Sequence, residues 1–298
     1  MIINRLKHSE IDFLKWDNTI LNSSMPFVFA QSFYLNSTCP NWEALIIGDY
    51  ESVFPLSQNL KFGISYLSQP PFTPQLGVYG KINFQIEQTF FNYIISNYKF
   101  IDIELNATNT FISKEHSHKM TYLIDYKKGY NLNQNTKRNI AKAIELELKF
   151  ERIPDADIIE ISKTYLNPFL SKTLHLSPTT INKFEILLSQ AINNHTLFSF
   201  KVVDKNNKVK AISHFISNGK HTVYLKGTNF DKSENTGSMH YLTYSAIQFF
   251  ENKSLFFDFG GGSKDSLAIF YKGFGSFPLT YNQLKINNLP WLLKRIKK

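Results

Sequence analysis

The sequence predicts an α/β (α+β) protein built from two tandem domains, each a mixed central sheet flanked by helices. Two observations carry that prediction. One order of signals, three meandering strands, a helix and a strand, occurs twice along the 298 residues at comparable lengths. A helical bridge joins the copies without any low-complexity or flexible stretch, and the chain is long enough for two domains of ordinary size. The expected division is residues 1–126 and 127–298, with 127–195 as the helical lead-in to the second sheet.

In the first half, periodicity predicts a short amphipathic helix over Asp12–Ser23 and then an aromatic segment, Phe27–Tyr34. Ala44–Ile47, Ser52–Leu56 and Ile64–Gln69 read as strands separated by the turn signals Gly48-Asp49 and Phe62-Gly63. After Gly80 a helix is expected to bury Phe84, Phe91, Ile94 and Ile95, and Phe100–Leu105 and Tyr122–Tyr126 read as strands. The bridge reads as helices over Asn131–Leu148, with Ile140, Ile144 and Leu148 on one stripe, then Asp155–Tyr165 and Pro178–Asn193. Asn167–Ser177, with Pro168, is expected to be a loop. The second half gives strands at Leu197–Val203, Val209–Ile216 and His221–Lys226, the last after an Asn218-Gly219 hairpin turn. A helix over Thr236–Phe250 and a strand at Leu255–Phe259 follow. The triplet Gly260-Gly261-Gly262 then leads into a helix with Ser263 as N-cap and Leu267, Phe270 and Tyr271 on its buried face.

Composition narrows the functional classes. Hydrophobic residues at 43% and charged residues at 19% describe a globular chain, and 27 Phe with 15 Tyr imply aromatic-filled cores. A net charge of +9 favours polyanionic partners without choosing among them. The single cysteine, Cys39, excludes an internal disulfide framework and fits a reducing cytoplasm. No stretch has signal-peptide or membrane-spanning character. The eight histidines show no metal-binding spacing, so no metal is expected.

Three places could carry chemistry. The glycine triplet lacks the spacing of a dinucleotide or Walker loop, and Asp258 before it would repel a phosphate. The turn Asn235–His240 opens a long helix whose free N–H groups and dipole suit an anion, with Thr236, Gly237 and Ser238 as phosphate candidates; an ordinary N-cap fits the same residues. Lys137 and Arg138 open the bridging helix, where cations oppose the helix dipole. An anionic ligand or a neighbouring carboxylate would each account for that placement.

The order of elements in the second half resembles the acyl-CoA N-acyltransferase (GNAT) fold. Two such units in tandem, with Thr136-Lys137-Arg138-Asn139-Ile140-Ala141-Lys142-Ala143 opening the bridge, resemble the FemAB/FemX family. Tyr271-Lys272-Gly273-Phe274-Gly275 is similar to that family's aromatic-Lys-Gly-Phe motif, and Val223-Tyr224-Leu225-Lys226-Gly227 to its tyrosine-rich third strand. The resemblance implies an aminoacyltransferase that moves an amino acid from aminoacyl-tRNA to an amine on a peptidoglycan precursor. It implies Lys272 and Tyr224 as catalytic residues, with Arg138, Lys137, Lys226 and Tyr271 binding substrate. Gln31-Ser32-Phe33-Tyr34 is followed by Leu35-Asn36-Ser37-Thr38, without the lysine that relatives using nucleotide-linked acceptors carry there. The long helical arm of some relatives is also absent from the pattern.

The implied donor is aminoacyl-tRNA or acyl-CoA and the implied partner an amine-bearing cell-envelope precursor, with no DNA. Two further readings are acyl-CoA-dependent acetylation of a small amine and a non-catalytic pair of domains that binds a muropeptide or protein. The tail Leu289–Lys298, ending in Lys294, Arg295, Lys297 and Lys298, is expected to dock as a helix. It could alternatively give weak peripheral contact with the inner face of the membrane.

Overall fold

The computed structural model describes residues 2–61, 63–111, 116–230, 235–262 and 264–290. Ser263, expected as an N-cap, and residues 291–298 of the basic tail lie outside them. The chain forms two compact units, Met1–Met120 with Thr280–Lys298, and Thr121–Leu279. The division is therefore discontinuous: the last strand returns to the first unit, where the sequence suggested a single boundary after residue 126.

The first unit opens with β1 (Ile3–Leu6), α1 (Phe13–Leu21) and α2 (Ser32–Thr38). Asp12 caps α1 by accepting from Leu14 and Lys15, as the N-cap preference predicts. β2 (Glu43–Ile47) and β3 (Ser52–Leu56) form an antiparallel hairpin flanked by β1 and by β6 (Tyr79–Gly80) in a four-stranded sheet. β4 (Gln58–Lys61) and β5 (Ile64–Ser68) form a second hairpin, and β5 runs parallel to β7 (Phe100–Glu104). α3 (Phe84–Asn97) packs Phe90, Phe91 and Ile94 into a core with Phe54, Leu67 and Ile103. Phe84 is 73% exposed rather than buried, because it occupies the first helical position, outside the apolar stripe. The three expected strands thus belong to two sheets.

β8 (His116–Asp125) carries the chain into the second unit. There follow α4 (Gln134–Glu145), β9 (Lys149–Arg152), α5 (Ile158–Ile161), a π-helical turn at Ser162–Leu166, α6 (Asn167–Lys172) and α7 (Pro178–Asn193). The expected loop at Asn167–Ser177 begins with α6, which continues the helical run from α5 through the π-helical turn; Pro168 sits just after that turn, where the ordinary hydrogen-bond ladder is already interrupted. Ile144 is 59% exposed, which narrows the stripe of α4 to Thr136, Ile140 and Ala143.

The sheet of this unit places β8 beside β13 (Phe256–Asp258), then β12 (His221–Asn229), β11 (Val209–Ser217), β10 (Leu197–Val203) and β9. β12 and β13 are parallel and the other neighbours antiparallel, so the sheet is mixed. α8 (Ser238–Phe250) crosses it and buries Leu242, Ala246, Ile247 and Phe250 against Phe200, Phe215 and Phe257. α9 (Asp265–Lys272) buries Ala268 and Tyr271; Leu267, expected on that face, is 41% exposed. β14 (Phe277–Asn287) then passes back to the first unit and pairs with β7.

Candidate functional site

The parallel pair β12 and β13 runs together through His221, Thr222 and Val223 and then parts, because β13 ends at Asp258 while β12 continues to Asn229. The ending has a local cause. The Asp258 carboxylate is fully buried and accepts from the Thr121 hydroxyl and the Gly260 N–H, and lies 3.2 Å from His221 Nε2. Thr121 Oγ1 accepts in turn from the Gly261 N–H at 3.1 Å. The acidic residue that argued against a phosphate loop is thus the anchor that turns the chain away from its neighbour. Gly262 lies against the Tyr122 ring, where a Cβ would come within 2.4 Å, and its φ of 147° lies outside the range favoured by other residues.

The wedge so opened is a cavity of about 360 Å³, walled by Leu225, Met239, Phe259, Leu267, Phe270 and Tyr271, with Tyr224, Lys226 and Gly227 on β12. A bulge lies in this wall: His214 opposes Lys226 and Phe215 opposes Tyr224, so Leu225 has no partner on β11. The Tyr224 hydroxyl is 3.1 Å from Ser213 Oγ and donates to Met239 Sδ at 3.7 Å. Burial pushes its phenol up to about 12, so it stays protonated at neutral pH. Gly227 is required by close approach. A Cβ there would lie 2.1 Å from Ser213 Oγ and 2.2 Å from the Tyr224 hydroxyl oxygen.

Lys226 is the cation of the wedge wall. No hydrogen bond or ion pair satisfies it among the described residues, and burial first, then Lys264, lowers its pKa. Tyr271 stacks on Phe259 at 4.4 Å. Of the residues singled out by sequence, Tyr224, Lys226 and Tyr271 therefore meet in one cavity.

Lys272 does not line it. Its side chain is exposed, with Nζ 5.7 Å from the centre of the Tyr122 ring. The other members of its motif have structural duties. Phe274 is fully buried, and Gly273 receives α4: its carbonyl accepts from the Asn133 N–H at 2.9 Å, and a Cβ would meet Thr136 Oγ1 at 2.4 Å. That junction sets the C-terminus of α9, bearing Lys272, beside the N-terminal turn of α4, where Lys137 and Arg138 are exposed. No ion pair engages any of these three among the described residues.

Thr236, Gly237 and Ser238 lie apart from the wedge wall. Ser238 is 1% exposed, and its N–H reaches Thr236 Oγ1 at 3.3 Å. Gly237, in the left-handed region at φ 77°, packs against the Asn139 carbonyl oxygen, which a Cβ would approach to 2.1 Å. An acceptor oxygen of α4 thus lies against Gly237 at the start of α8. In the first unit, Asn36, at the segment where a lysine is lacking, accepts from Trp42 Nε1 and contacts His8 Nε2, a structural role.

No protein-family model matches the sequence, and no curated protein is significantly similar to it. Solved structures are. The crystal structure of FemX superposes over 100% of both chains at a TM-score of 0.69 and 12% identity. The chain has the FemX fold, a tandem of GNAT-like units. Two other structures share it more loosely. L-PGS from Bacillus licheniformis matches at a TM-score of 0.56 and 9% identity, over 88% of this chain and 90% of its own. The C-terminal domain of an Agrobacterium fabrum protein assigned as a lysylphosphatidylglycerol synthetase gives 0.57 and 11%, over 93% and 92%. At such identities the FemX likeness establishes architecture, and the chemistry has to be argued from the wedge.

Proposed function

We propose that this chain is an N-acyltransferase of GNAT type, which moves an acyl or aminoacyl group onto an amine in the wedge of the second unit. The observation that carries the reading is the parted β12–β13 pair with a bulge in its wall. Such a bulge frees a backbone donor at Leu225 to polarise an acyl carbonyl, and fixed dipoles aimed at developing charge supply a large share of catalysis.

The neutral amine attacks the carbonyl carbon and a C–N bond forms. The C–O bond of a tRNA ester, or the C–S bond of a thioester, breaks. The nitrogen loses its proton to solvent. Tyr224, kept protonated by burial, gives a proton to the departing oxygen or sulfur and regains one from water. No protein nucleophile is required.

Two features favour a tRNA ester over acyl-CoA as donor. At the start of α8, the natural seat for a pyrophosphate, Gly237 faces the Asn139 carbonyl, an acceptor oxygen that would repel a phosphate. The exposed cations Lys137, Arg138 and Lys272 gather where α4 meets α9, suited to a phosphate backbone. The acceptor implied by the FemAB/FemX resemblance is an amine on a cell-envelope precursor. The Agrobacterium fabrum domain is named for a lysylphosphatidylglycerol synthetase, and an amine or hydroxyl on a lipid is the second acceptor class. No described helix is long and apolar enough to cross a membrane, so a lipid-borne acceptor would be met at a surface.

The test is transfer of radiolabel from charged tRNA, and in parallel from acetyl-CoA, to an amine-bearing muropeptide. Transfer from tRNA that falls in the Lys272→Ala variant supports the reading. Undiminished transfer in that variant removes Lys272 from the mechanism, and transfer from acetyl-CoA alone replaces the donor. Binding of the muropeptide without transfer from either donor leaves a non-catalytic binding pair.

A further inference from the structure

The wedge of the second unit has an uneven chemistry that the transfer reaction does not require. Its wall is built mainly from Leu225, Met239, Phe259, Leu267 and Phe270 and from the ring of Tyr271, with Thr228, Asn229 and the glycine triplet as its polar part. Into this largely apolar surround the sheet places one ammonium, that of the half-buried Lys226, and none of the described residues of the wall is an aspartate or glutamate. A lysine drawn away from water normally acquires a carboxylate or gives up its charge. Among the described residues Lys226 has neither a carboxylate nor any other hydrogen-bond partner, and the neighbouring charge that bears on it is that of another cation, Lys264. The fold nevertheless holds it there, on the strand whose bulge fixes its register opposite His214. His214 is itself locked between Ser199 and Ser162 at 2.6 and 2.8 Å. The lysine therefore cannot slip to the other face without breaking a fully buried polar chain.

An uncompensated cation in an apolar wall is a half-made ion pair, and its missing half comes with the ligand. We propose that Lys226 is the charge-selecting residue of the wedge, which receives an apolar acyl-bearing ligand through a carboxylate or phosphate on it. The inference rests on the transfer reading for the identity of the site and adds the substrate class. The group seated against β12 is apolar and anionic, and a cationic one such as a lysyl side chain is rejected by Lys226 and Lys264 together. The wall supplies dispersion and area, the ammonium supplies sign, and Tyr224 two residues earlier meets the reacting end.

Four probes that share one apolar tail and differ in head group test this: octanoate, octyl phosphate, octylamine and octanol, titrated calorimetrically into the full chain. Octanoate or octyl phosphate binds about tenfold or more tighter than octylamine, the margin of one charge-assisted contact. Whichever anion binds better identifies the head group as carboxylate or phosphate. Lys226→Met keeps octanol binding and loses the margin, and Lys226→Arg restores it. Matching melting curves for the two variants show that the wall is intact. Raising the pH through the lowered pKa of Lys226 erodes the margin in the unmodified protein, since the ammonium is discharged earlier than an ordinary lysine.

Octylamine binding as tightly as octanoate overturns the proposal, as does a preference that survives Lys226→Met. Octanol binding without any effect of charge removes Lys226 from recognition and leaves the wedge as the acyl site. Binding of none of the four removes the wedge itself, and with it the transfer reading. The two failures are thereby told apart without an activity assay.

Discussion

The two units solve the same geometric problem in opposite ways. Each contains one parallel strand pair that parts after a short run of register. In the second unit the pair is β12 and β13, its last partners are Val223 and Asp258, and the space beyond stays open. In the first unit the pair is β5 and β7, its last partners are Ser68 and Asp102, and the space beyond is filled by the chain itself. Gln69, the residue corresponding to Tyr224, donates its amide to the Thr73 carbonyl at 2.6 Å and accepts from the Glu104 N–H at 2.8 Å. The Leu76 N–H then bonds the Glu104 carbonyl at 2.7 Å. A glutamine at this position stitches the wedge shut, whereas a tyrosine followed by a bulge holds it open. Duplication of a fold thus does not duplicate a site, because the stretch of chain after the last paired rung decides whether there is room for a ligand.

The largest expected effect comes from removing the anchor of the open wedge. Asp258→Ala leaves Thr121, His221 and the Gly260 N–H without their acceptor in a fully buried place, a loss of about 3–5 kcal/mol. Urea unfolding measures it, and a loss under about 1 kcal/mol would mean that the turn is held by something other than this carboxylate. Next in size is Tyr224→Phe. It removes a hydroxyl and leaves the ring packed edge-on to Phe215 at 5.1 Å, so stability changes little. Transfer falls about a hundredfold if the phenol is the proton donor, within the usual worth of general acid catalysis. A transfer rate that stays within a factor of two or so of the parent removes Tyr224 from the chemistry.

How far this contrast was legible in the sequence differs between the units. The second unit was written locally: Pro178–Asn193 and Leu197–Val203 emerge with the bounds that capping and strand signals gave. The first unit was not. β4 is a polar edge strand with no apolar alternation, and β14 pairs with β7 from a distant part of the sequence, which no local period can reveal. Tyr224, Lys226 and Tyr271 were found through motif likeness, and they converge on the wedge. The bulge at Leu225 was invisible, because a one-residue slip changes no residue type. Lys272 shows the limit of a motif: its glycine and phenylalanine are fixed by packing on α4 and in the core, while the lysine itself is exposed, with its ammonium over the Tyr122 ring. The role of Asp258 as an anchor could have been suspected from its place between an apolar run and three glycines.

A smaller effect concerns the frame behind the open wedge. His214 is fully buried, and burial lowers its pKa to about 3. The unfolded chain binds that proton near the ordinary 6.5 and the folded chain does not, so stability is complete above about pH 6.5 and declines as pH falls toward 3. The slope from this one group is about 1.4 kcal/mol per pH unit. Subtracting the pH profile of His214→Gln from that of the parent isolates it. A flat difference would show that the Ser162–His214–Ser199 chain accommodates the imidazolium.

The smallest expected effect is the most pointed, because it asks whether the closed wedge is a site in disguise. Gln69→Ala removes the two stitches from Gln69 to Thr73 and Glu104, yet leaves the backbone bonds from Gln69 to Asp102 and from Leu76 to Glu104. The cost is about 1–2 kcal/mol, since the partners are partly reachable by water. Binding of octanoate and transfer activity are expected to match the parent, because both belong to the other unit. If the variant instead gains a second octanoate site, the first wedge is a latent pocket. The glutamine would then be the residue that suppresses it, rather than one stitch among several in a wedge that the backbone already closes.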